Sequence, residues 1–207
     1  MPKALVEIAG VPIVRHTLSR FADIVEITEV IAVVPAGAVP EFREAMLGVE
    51  LQADEVRVVA GGATRQVSVR AGLESLTTRP DLVCVHDAAR PLVRPETIRA
   101  VIEAAAASGA ATAATRPSDS VREEEEDGST RTLDRSKLWL VETPQCFSTE
   151  LLLQAHRHAK ATGVEATDDA QLVEQCGTAI SLVESEEENL KVTRPLDLKV
   201  LSLLLEN

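Results

Sequence analysis

Short apolar runs alternate along the chain with longer segments whose apolar residues recur at helical spacing. The apolar runs predict buried strands over residues 30–34, 56–60, 82–86 and 179–183. The helical spacing predicts helices over residues 12–21, 40–47, 65–76, 95–107, 170–176 and 196–205. One apolar stripe of the fourth helix contains Ile98, Val101, Ile102 and Ala105. The alternation predicts an α/β fold in a single domain, residues 1–207, with a mostly parallel sheet flanked by helices.

The stretch from 116 to 137 breaks this pattern, because it is polar and contains four consecutive glutamates, Glu123–Glu126. Asp127-Gly128 follows and predicts a hairpin with a two-residue turn, which places Glu124 opposite Arg131 and Glu125 opposite Thr130. A lone polar hairpin is marginally stable in water, so we expect this protruding arm to bind a second subunit. The alternative is a disordered acidic loop.

Net charge narrows the range of partners. The 207 residues carry a formal charge of −12, which would repel nucleic acid and anionic membranes, and we expect neither as a partner. No apolar run approaches the length of a membrane span. The three cysteines, Cys84, Cys146 and Cys176, are far apart in the sequence, which favours a reducing cytoplasm over a disulfide framework. An anionic ligand would need a local cluster of cations.

Two candidate motifs follow predicted strands, where α/β folds bind ligands. Gly61-Gly62 precedes a helix, so its backbone could approach an anion closely, although a simple turn would have the same sequence. In the His86–Pro91 segment, Asp87 suits Mg²⁺ or a hydroxyl and Arg90 suits a phosphate. A helix cap with a surface ion pair is the alternative. The small residues between the two charges favour function, whereas His86 itself is typical of a structural hydrogen-bonding residue.

Three later motifs are less specific. Thr143-Pro144-Gln145 predicts a strand end and turn. Thr167-Asp168-Asp169 predicts a helix cap, a substrate contact, or both. Lys191 alternates with apolar neighbours, so it could point from a strand into a cleft or be a solvated lysine.

In chain order the motifs are GG-x-x-R-x-x-S, HDAARP, D-S before the arm, TPQ, TDDA and N-x-K-x-T-x-P-x-D-L. This series resembles the 2-C-methyl-D-erythritol 4-phosphate cytidylyltransferases of non-mevalonate isoprenoid biosynthesis over nearly the whole chain. The resemblance implies a Rossmann-like nucleotidyltransferase fold, a homodimer formed through the arm, and Mg²⁺-dependent reaction of CTP with methylerythritol phosphate. Sugar-alcohol phosphate cytidylyltransferases share HDAARP and TPQ but more often have Val at the position of Ala89.

The resemblance also implies a role for individual residues. The catalytic positions are Lys3, Lys191 and Asp87. The CTP-binding positions are Lys3, Gly62, Ser68, Asp87 and Ala88. The positions that bind the alcohol phosphate are Asp87, Arg90, Ser120, Arg135, Thr143, Thr167 and Lys191. Asp87 would also be close to Mg²⁺, which the phosphates would hold for the most part, and Arg135 would reach the site of the neighbouring subunit.

These residue types suit the implied chemistry. The nucleophile would be a phosphate oxygen, which is already ionised near neutral pH, so no general base is needed. In-line positioning and cations around the spreading negative charge are the requirements.

The start of the chain departs from the family pattern. The family has a strand and an A-A-G-x-G-x-R loop before its P-K pair, whereas this chain opens with Met1-Pro2-Lys3. That strand would be central, so we expect its absence to leave two rows of backbone hydrogen-bonding groups without a partner. A start assigned too far downstream would explain the difference. The alternative is a non-catalytic, dimeric binding protein on the same scaffold.

Overall fold

The computed structural model describes residues 2–53 and 55–205. Its strands are β1 (Glu7–Ile8), β2 (Val11–Pro12), β3 (Glu29–Val34), β4 (Glu55–Ala60), β5 (Leu82–Val85), β6 (Ala110–Thr115), β7 (Arg122–Glu124), β8 (Thr130–Thr132), β9 (Leu140–Ser148) and β10 (Ser181–Glu184). Its α-helices are α1 (Ile13–Ser19), α2 (Val39–Ala45), α3 (Arg65–Glu74), α4 (Pro95–Ser108), α5 (Thr149–Thr162), α6 (Asp169–Glu174) and α7 (Pro195–Leu205). Short 3₁₀ turns cover Lys3–Leu5, Ala36–Ala38 and Arg135–Lys137. Within the described ranges, no helix has the length and apolar character needed to cross a membrane.

The strands form a mixed arrangement of sheets. Four of them pair in the order β10-β6-β9-β5, with β10 parallel to β6 and with β9 antiparallel to both of its neighbours. β3 and β4 form a separate parallel pair. Helices connect the strands, as the sequence pattern predicts, but β9 gives the larger sheet two antiparallel ladders.

Strands β3 and β5 lie at sheet edges. Within the described ranges, β3 pairs only with β4, and β5 pairs only with β9. Most side chains of β3 and all four of β5 are half-buried, although their sequences are as apolar as those of a central strand. Each of these two strands therefore has one row of backbone groups without a ladder partner in the described ranges.

One part of the core lies where helices cover the larger sheet, and another packs α1 and α2 against β3. Ile98, Val101 and Ala105 of α4 are buried, which confirms the apolar stripe predicted for that helix. Another cluster against the larger sheet includes Phe147 of β9 and Leu152 of α5. This core fixes β9 in the middle of the sheet, and residues of β9 recur in the candidate site.

Several elements differ from their predictions. Neither β6 nor α5 is predicted by the apolar pattern, and the late strand begins at Ser181 rather than at residue 179. β9 continues through Thr143-Pro144-Gln145 to Ser148, so the strand end and turn predicted there are wrong. The Thr143–Pro144 peptide bond is cis. Lys191 lies in the loop between β10 and α7 rather than in a strand.

The arm forms a hairpin whose register differs by one residue from the prediction. Glu123 lies opposite Arg131, and Glu124 lies opposite Thr130. The loop is a three-residue turn in which Gly128 has φ +80°, a conformation that glycine adopts without strain. Arg131 consequently forms ion pairs with Glu123 and Glu125 instead of Glu124.

Candidate active site

The candidate site centres on an ion pair between the HDAARP motif and the loop after β10. The Nζ atom of Lys191 lies 2.7 Å from Oδ2 of Asp87. Asp87 follows β5, as predicted, and its side chain is 17% exposed. The backbone N–H of Val192 donates to the carbonyl oxygen of Ala89 at 2.8 Å, which holds the two loops together. Ala88 is exposed beside them, and its carbonyl oxygen accepts a hydrogen bond from Thr17 Oγ1 at 2.8 Å.

Three cations surround the carboxylate of Asp87. Besides Lys191, Arg65 Nε lies 3.6 Å from Oδ1, and Arg90 Nε lies 3.9 Å from Oδ2. Burial by itself would raise the pKa of Asp87, but Lys191, Arg65 and Arg90 outweigh it, so the pKa is held below its ordinary value. Asp87 is therefore ionised at neutral pH and can orient cations toward a phosphate.

Thr143 and His86 support the backbone of Asp87. The Oγ1 atom of Thr143 accepts a hydrogen bond from the N–H of Asp87 at 3.0 Å and lies 3.1 Å from Nδ1 of His86. The Nε2 atom of His86 lies 3.1 Å from the carbonyl oxygen of Arg90, so this network assigns the proton to Nε2 and leaves Nδ1 to accept from the threonine hydroxyl. Burial lowers the pKa of His86 to about 4, which keeps the ring neutral. Both residues hold the loop in place, which agrees with the structural role expected of His86.

Arg90 is anchored from two sides. Its Nη1 donates to the carbonyl oxygen of Asn189 at 2.6 Å and lies 3.6 Å from Oε1 of Glu142. Burial lowers the pKa of Arg90, although Glu142 and Asp87 oppose that effect. Glu142 also accepts hydrogen bonds from Asn189 Nδ2 at 2.7 Å and Ser185 Oγ at 2.6 Å. The Arg90 side chain is 11% exposed, and its contacts with Glu142 and Asn189 join the loop after β5 to β9 and to the loop after β10.

The Gly61-Gly62 loop folds back over the first turn of α3. The N–H of Gly62 donates to Ser68 Oγ at 3.1 Å, which brings together two of the positions that the resemblance implies for CTP. A Cβ atom at Gly62 would lie 2.1 Å from a Val67 methyl carbon, so glycine is required for this approach. Thr64 caps the helix by accepting from Val67 N at 3.2 Å, and Arg65 then begins it.

The Thr167-Asp168-Asp169 motif begins α6. Asp168 Oδ1 accepts from the N–H of Gln171 at 2.9 Å, so the predicted helix cap is present. Gln145 joins this motif to β9, because its Nε2 donates to Asp168 Oδ2 at 3.3 Å. Thr167 is exposed, and its hydroxyl lies 3.3 Å from Oε1 of Gln171.

Three predicted site residues, Lys3, Ser120 and Arg135, make no contact with Asp87 among the described residues. Lys3 is exposed in the first 3₁₀ turn, and no contact with Asp87 or Lys191 is among its interactions in the described structure. Ser120 is exposed on the arm. Arg135 is also exposed there, donates to the carbonyl oxygen of Ser118, and lines an open cavity of about 370 Å³ with Arg116.

The sequence analysis missed three residues that hold the cluster together. Arg65 is the fixed arginine of GG-x-x-R-x-x-S, Asn189 is the asparagine of N-x-K-x-T, and Glu142 immediately precedes TPQ. Burial would lower the pKa of Arg65, but Asp169 and then Asp87 raise it by a larger amount. Each of the three has a fixed spacing from a motif residue that was predicted to have a role, and that spacing is the signal that could have identified it.

Residues 2–53 and 55–205 contain no group of three His, Cys, Asp or Glu side chains that could hold a metal ion. Asp87 contributes a single carboxylate, and Lys191 already contacts it. Any divalent cation here would depend on ligands from a bound substrate.

Comparison with known proteins gives a consistent result. The whole chain, residues 1–207, matches the family model of 2-C-methyl-D-erythritol 4-phosphate cytidylyltransferase. A protein of that name from Pelotomaculum thermopropionicum is 42% identical over 202 residues, which are 96% of this chain and 84% of the relative. One from Symbiobacterium thermophilum is 39% identical over 205 residues, 99% of this chain and 85% of the relative.

Solved structures are also similar. The 2-C-methyl-D-erythritol 4-phosphate cytidylyltransferase of Thermus thermophilus has a TM-score of 0.85 at 37% identity, covering 100% of this chain and 94% of that chain. The 4-diphosphocytidyl-2C-methyl-D-erythritol synthase of Anaerococcus prevotii has a TM-score of 0.92 at 26% identity, covering 99% of this chain and 93% of that one.

Proposed function

The chain belongs to the 2-C-methyl-D-erythritol 4-phosphate cytidylyltransferase family, and we propose that it transfers the cytidylyl group of CTP to 2-C-methyl-D-erythritol 4-phosphate. The products are 4-diphosphocytidyl-2-C-methyl-D-erythritol and pyrophosphate. The comparisons confirm the family, and with it the Rossmann-like nucleotidyltransferase fold that the sequence resemblance implied.

The observation that carries the proposal is the Asp87–Lys191 contact. It joins two motifs from distant parts of the chain, and Arg65 and Arg90 lie around the same carboxylate. Three cations thus converge at the carboxyl end of β5 in a chain whose net charge is −12. Asp169 and Glu142 neutralise Arg65 and Arg90, so the cation that a phosphate-bearing substrate can reach is Lys191, whose side chain is 42% exposed.

The chemistry follows from these charges. A phosphate oxygen of methylerythritol phosphate attacks the α-phosphorus of CTP in line, and the bond to pyrophosphate breaks. Lys191 stabilises the negative charge that spreads over the α-phosphate, and Asp87 keeps the ammonium group in place. Because the attacking oxygen is already ionised, no side chain has to remove a proton.

A divalent cation fits this site only as a partner of the phosphates. Mg²⁺ usually keeps several waters and binds through one or two carboxylates together with substrate phosphates. Asp87 is the carboxylate that would face it, whereas Glu142 and Asp169 are already bonded to arginines. Mg²⁺ would neutralise triphosphate charge there.

Cytosine recognition is assigned to the Gly61-Gly62 loop. The N–H of Gly62 donates to Ser68 Oγ, and the Ser68 hydroxyl donates to the carbonyl oxygen of Thr64 at 2.8 Å, so a pyrimidine edge would bind by taking the place of these partners. A pyrimidine edge that satisfies these groups would be distinguished from one that leaves them unpaired.

We further propose a homodimer in which Arg135 and Ser120 complete the site of the neighbouring subunit. Both residues are exposed on the arm. Leu140, Val141 and Leu182, in strands at the base of the arm, are also exposed and apolar. An exposed apolar patch beside a polar hairpin is typical of an interaction surface. Sedimentation analysis should give twice the monomer mass, and a monomer at micromolar concentration would contradict the proposal.

We assign the protein to the cytoplasm. Its three cysteines are free thiols, including Cys84 and Cys146, which lie directly opposite each other on β5 and β9. A reducing compartment would keep them unlinked. Detection of the protein with the periplasmic or secreted fraction of its host would contradict this assignment.

Pyrophosphate release tests the proposed reaction. After a cooperative melt has shown that the preparation is folded, the protein is assayed with CTP and Mg²⁺, and with either methylerythritol phosphate or a linear sugar-alcohol phosphate. We expect turnover with methylerythritol phosphate. Preference for the linear alcohol phosphate would favour the related cytidylyltransferases instead. No turnover with either, in a folded protein that binds CTP, would favour the non-catalytic binding protein.

A further inference from the structure

The proposed transfer chemistry does not use Asp169, the buried first residue of α6. Its side chain is 1% exposed. Oδ2 accepts from Arg65 Nη1 at 2.6 Å, and Oδ1 lies 2.9 Å from Nε2 of His156, which is also buried. The backbone N–H of Asp169 donates to Gln145 Oε1 at 3.2 Å. Contacts to both carboxylate oxygens and to the backbone N–H hold the side chain of Asp169 in one orientation.

Arg65 lies between two carboxylates but bonds them unequally. Its Nη1 hydrogen bond to Asp169 is short, whereas its Nε lies 3.6 Å from Asp87 Oδ1, which is too long for a hydrogen bond. Its Nη2 is buried and makes no hydrogen bond with any residue in the described ranges. An arginine with a spare donor would be expected to close onto Asp87 unless another group held it back.

We propose that Asp169 is a positioning residue that holds Arg65 away from Asp87, so that Asp87 remains bonded to Lys191. His156 fixes the orientation of the Asp169 carboxylate, which allows Oδ2 to face Arg65. The inference rests on the proposed cytidylyl transfer, in which Lys191 acts on the α-phosphate. It explains why a carboxylate from the TDDA motif is directed at an arginine from the glycine-loop motif.

Asp169→Asn tests the proposal, because it removes the charge but keeps the volume and one acceptor oxygen. We expect Arg65 to bond Oδ1 of Asp87 and so weaken the attraction of that carboxylate for Lys191 on Oδ2, and kcat should fall by about tenfold or more. KM for CTP should change by less than about threefold, because the groups assigned to the base are untouched. Glu174→Gln, an exposed substitution on the same helix, is the control and should leave both constants unchanged.

A double-mutant cycle separates positioning from a general structural role. In an Arg65→Gln background, Asp169→Asn should cause no further fall in kcat, because the side chain that it holds has already been removed. An independent further loss would overturn the proposal. His156→Gln keeps an N–H donor and should retain kcat, whereas His156→Leu should lower it. Equal kcat values for the two His156 variants would remove His156 from the proposal.

A crystal structure of the Asp169→Asn variant provides a readout that does not depend on turnover. We expect the Arg65 guanidinium within hydrogen-bond distance of Asp87, about 3.2 Å or less. Arg65 still bonded to position 169, with the Asp87–Lys191 contact intact, would overturn the proposal. If Asp169→Asn does not fold, the structure of His156→Leu serves the same purpose. Absence of cytidylyl transfer in the unsubstituted protein would count against the proposed function alone.

Discussion

The two regions that carry the expected site residues are built in opposite ways. Around Asp87, side chains from β9, α3 and two loops are mostly buried and bonded to one another. On the arm, Ser120 and Arg135 are exposed, and the hairpin pairs only with itself within the described ranges. Asp87 therefore has its partners before substrate arrives, whereas Arg135 would find its ligand only on another molecule.

The Asp87 cluster is organised before substrate binds, whereas a site that includes the arm would be complete only after two subunits associate. A cluster whose side chains already bond one another loses little conformational entropy when a phosphate binds, so its contribution to catalysis is concentrated in the transition state. The exposed side chain of Arg135 must be ordered when substrate binds, so its contribution to substrate affinity depends on the partner subunit. Substitutions in the two regions should consequently change different constants.

The largest effect is expected from Lys191→Ala. Loss of one preorganised cation should lower kcat by roughly 10²–10³-fold, since such contacts contribute about 3–4 kcal/mol to transition-state stabilisation. Steady-state pyrophosphate release measures it. Lys199→Ala removes an exposed lysine from α7 and is the matched control. Similar losses in both variants would mean that general charge, rather than the Asp87 cluster, controls the rate.

The next effect concerns the pH dependence of stability. The pKa of His86 is lowered from 6.5 to about 4, so between these values the unfolded chain binds a proton that the folded chain does not. Stability should fall as the pH drops through this window, by about 3 kcal/mol from this residue. Denaturant unfolding at several pH values measures the effect. In His86→Gln the decline should be smaller by that amount, and parallel curves for the two proteins would contradict the burial of a neutral ring.

Arg135→Ala probes the arm. KM for methylerythritol phosphate should rise by roughly tenfold, the equivalent of about 1.4 kcal/mol, with a smaller change in kcat. Stability should be unchanged because the side chain is exposed. Mixing this variant with Lys191→Ala should restore some activity, because one site of each heterodimer would contain both native residues. Verified heterodimers without restored activity would exclude a shared site.

The smallest effect is expected within the hairpin itself. Arg131 pairs with Glu123 and Glu125, but all three side chains are largely solvated. Arg131→Ala should therefore change the free energy of unfolding by less than about 1 kcal/mol. Thermal denaturation at low and high salt measures it. A larger loss would show that the hairpin contributes to the stability of the fold.

The sequence predicts local features of the fold better than its long-range contacts. Apolar runs and helical spacing locate β3, β4, β5 and α4 to within a residue or two, because burial of one face dictates those patterns. β6 is missed because its alanine-rich sequence, Ala110–Thr115, has neither the bulk nor the alternation of a typical strand. The hairpin register is missed because Asp-Gly suits both a two-residue turn and a three-residue turn.

In the candidate site, too, the sequence predicts local motifs better than long-range contacts. Asp87 and Lys191 are each predicted from a motif, and the structure brings them together. Glu142 and Asp169 could not be predicted as partners of Arg90 and Arg65, because each pair joins segments far apart in the chain. Roles for Lys3, Ser120 and Arg135 came only from the family resemblance, and they remain predictions.

Strand β9 also has a consequence for how the protein reaches its active form. Glu142 contacts Arg90, Thr143 contacts Asp87, and Gln145 contacts the Asp168-Asp169 turn, so a single strand supplies partners to two motifs, HDAARP and TDDA. Closing the loop from β5 to β9 is a long-range event, which makes it slow and costly in chain entropy. Until β9 docks, Asp87 lacks the hydrogen bond from its N–H to Thr143, and Arg90 lacks Glu142. During refolding, recovery of activity should therefore lag behind recovery of helical circular dichroism.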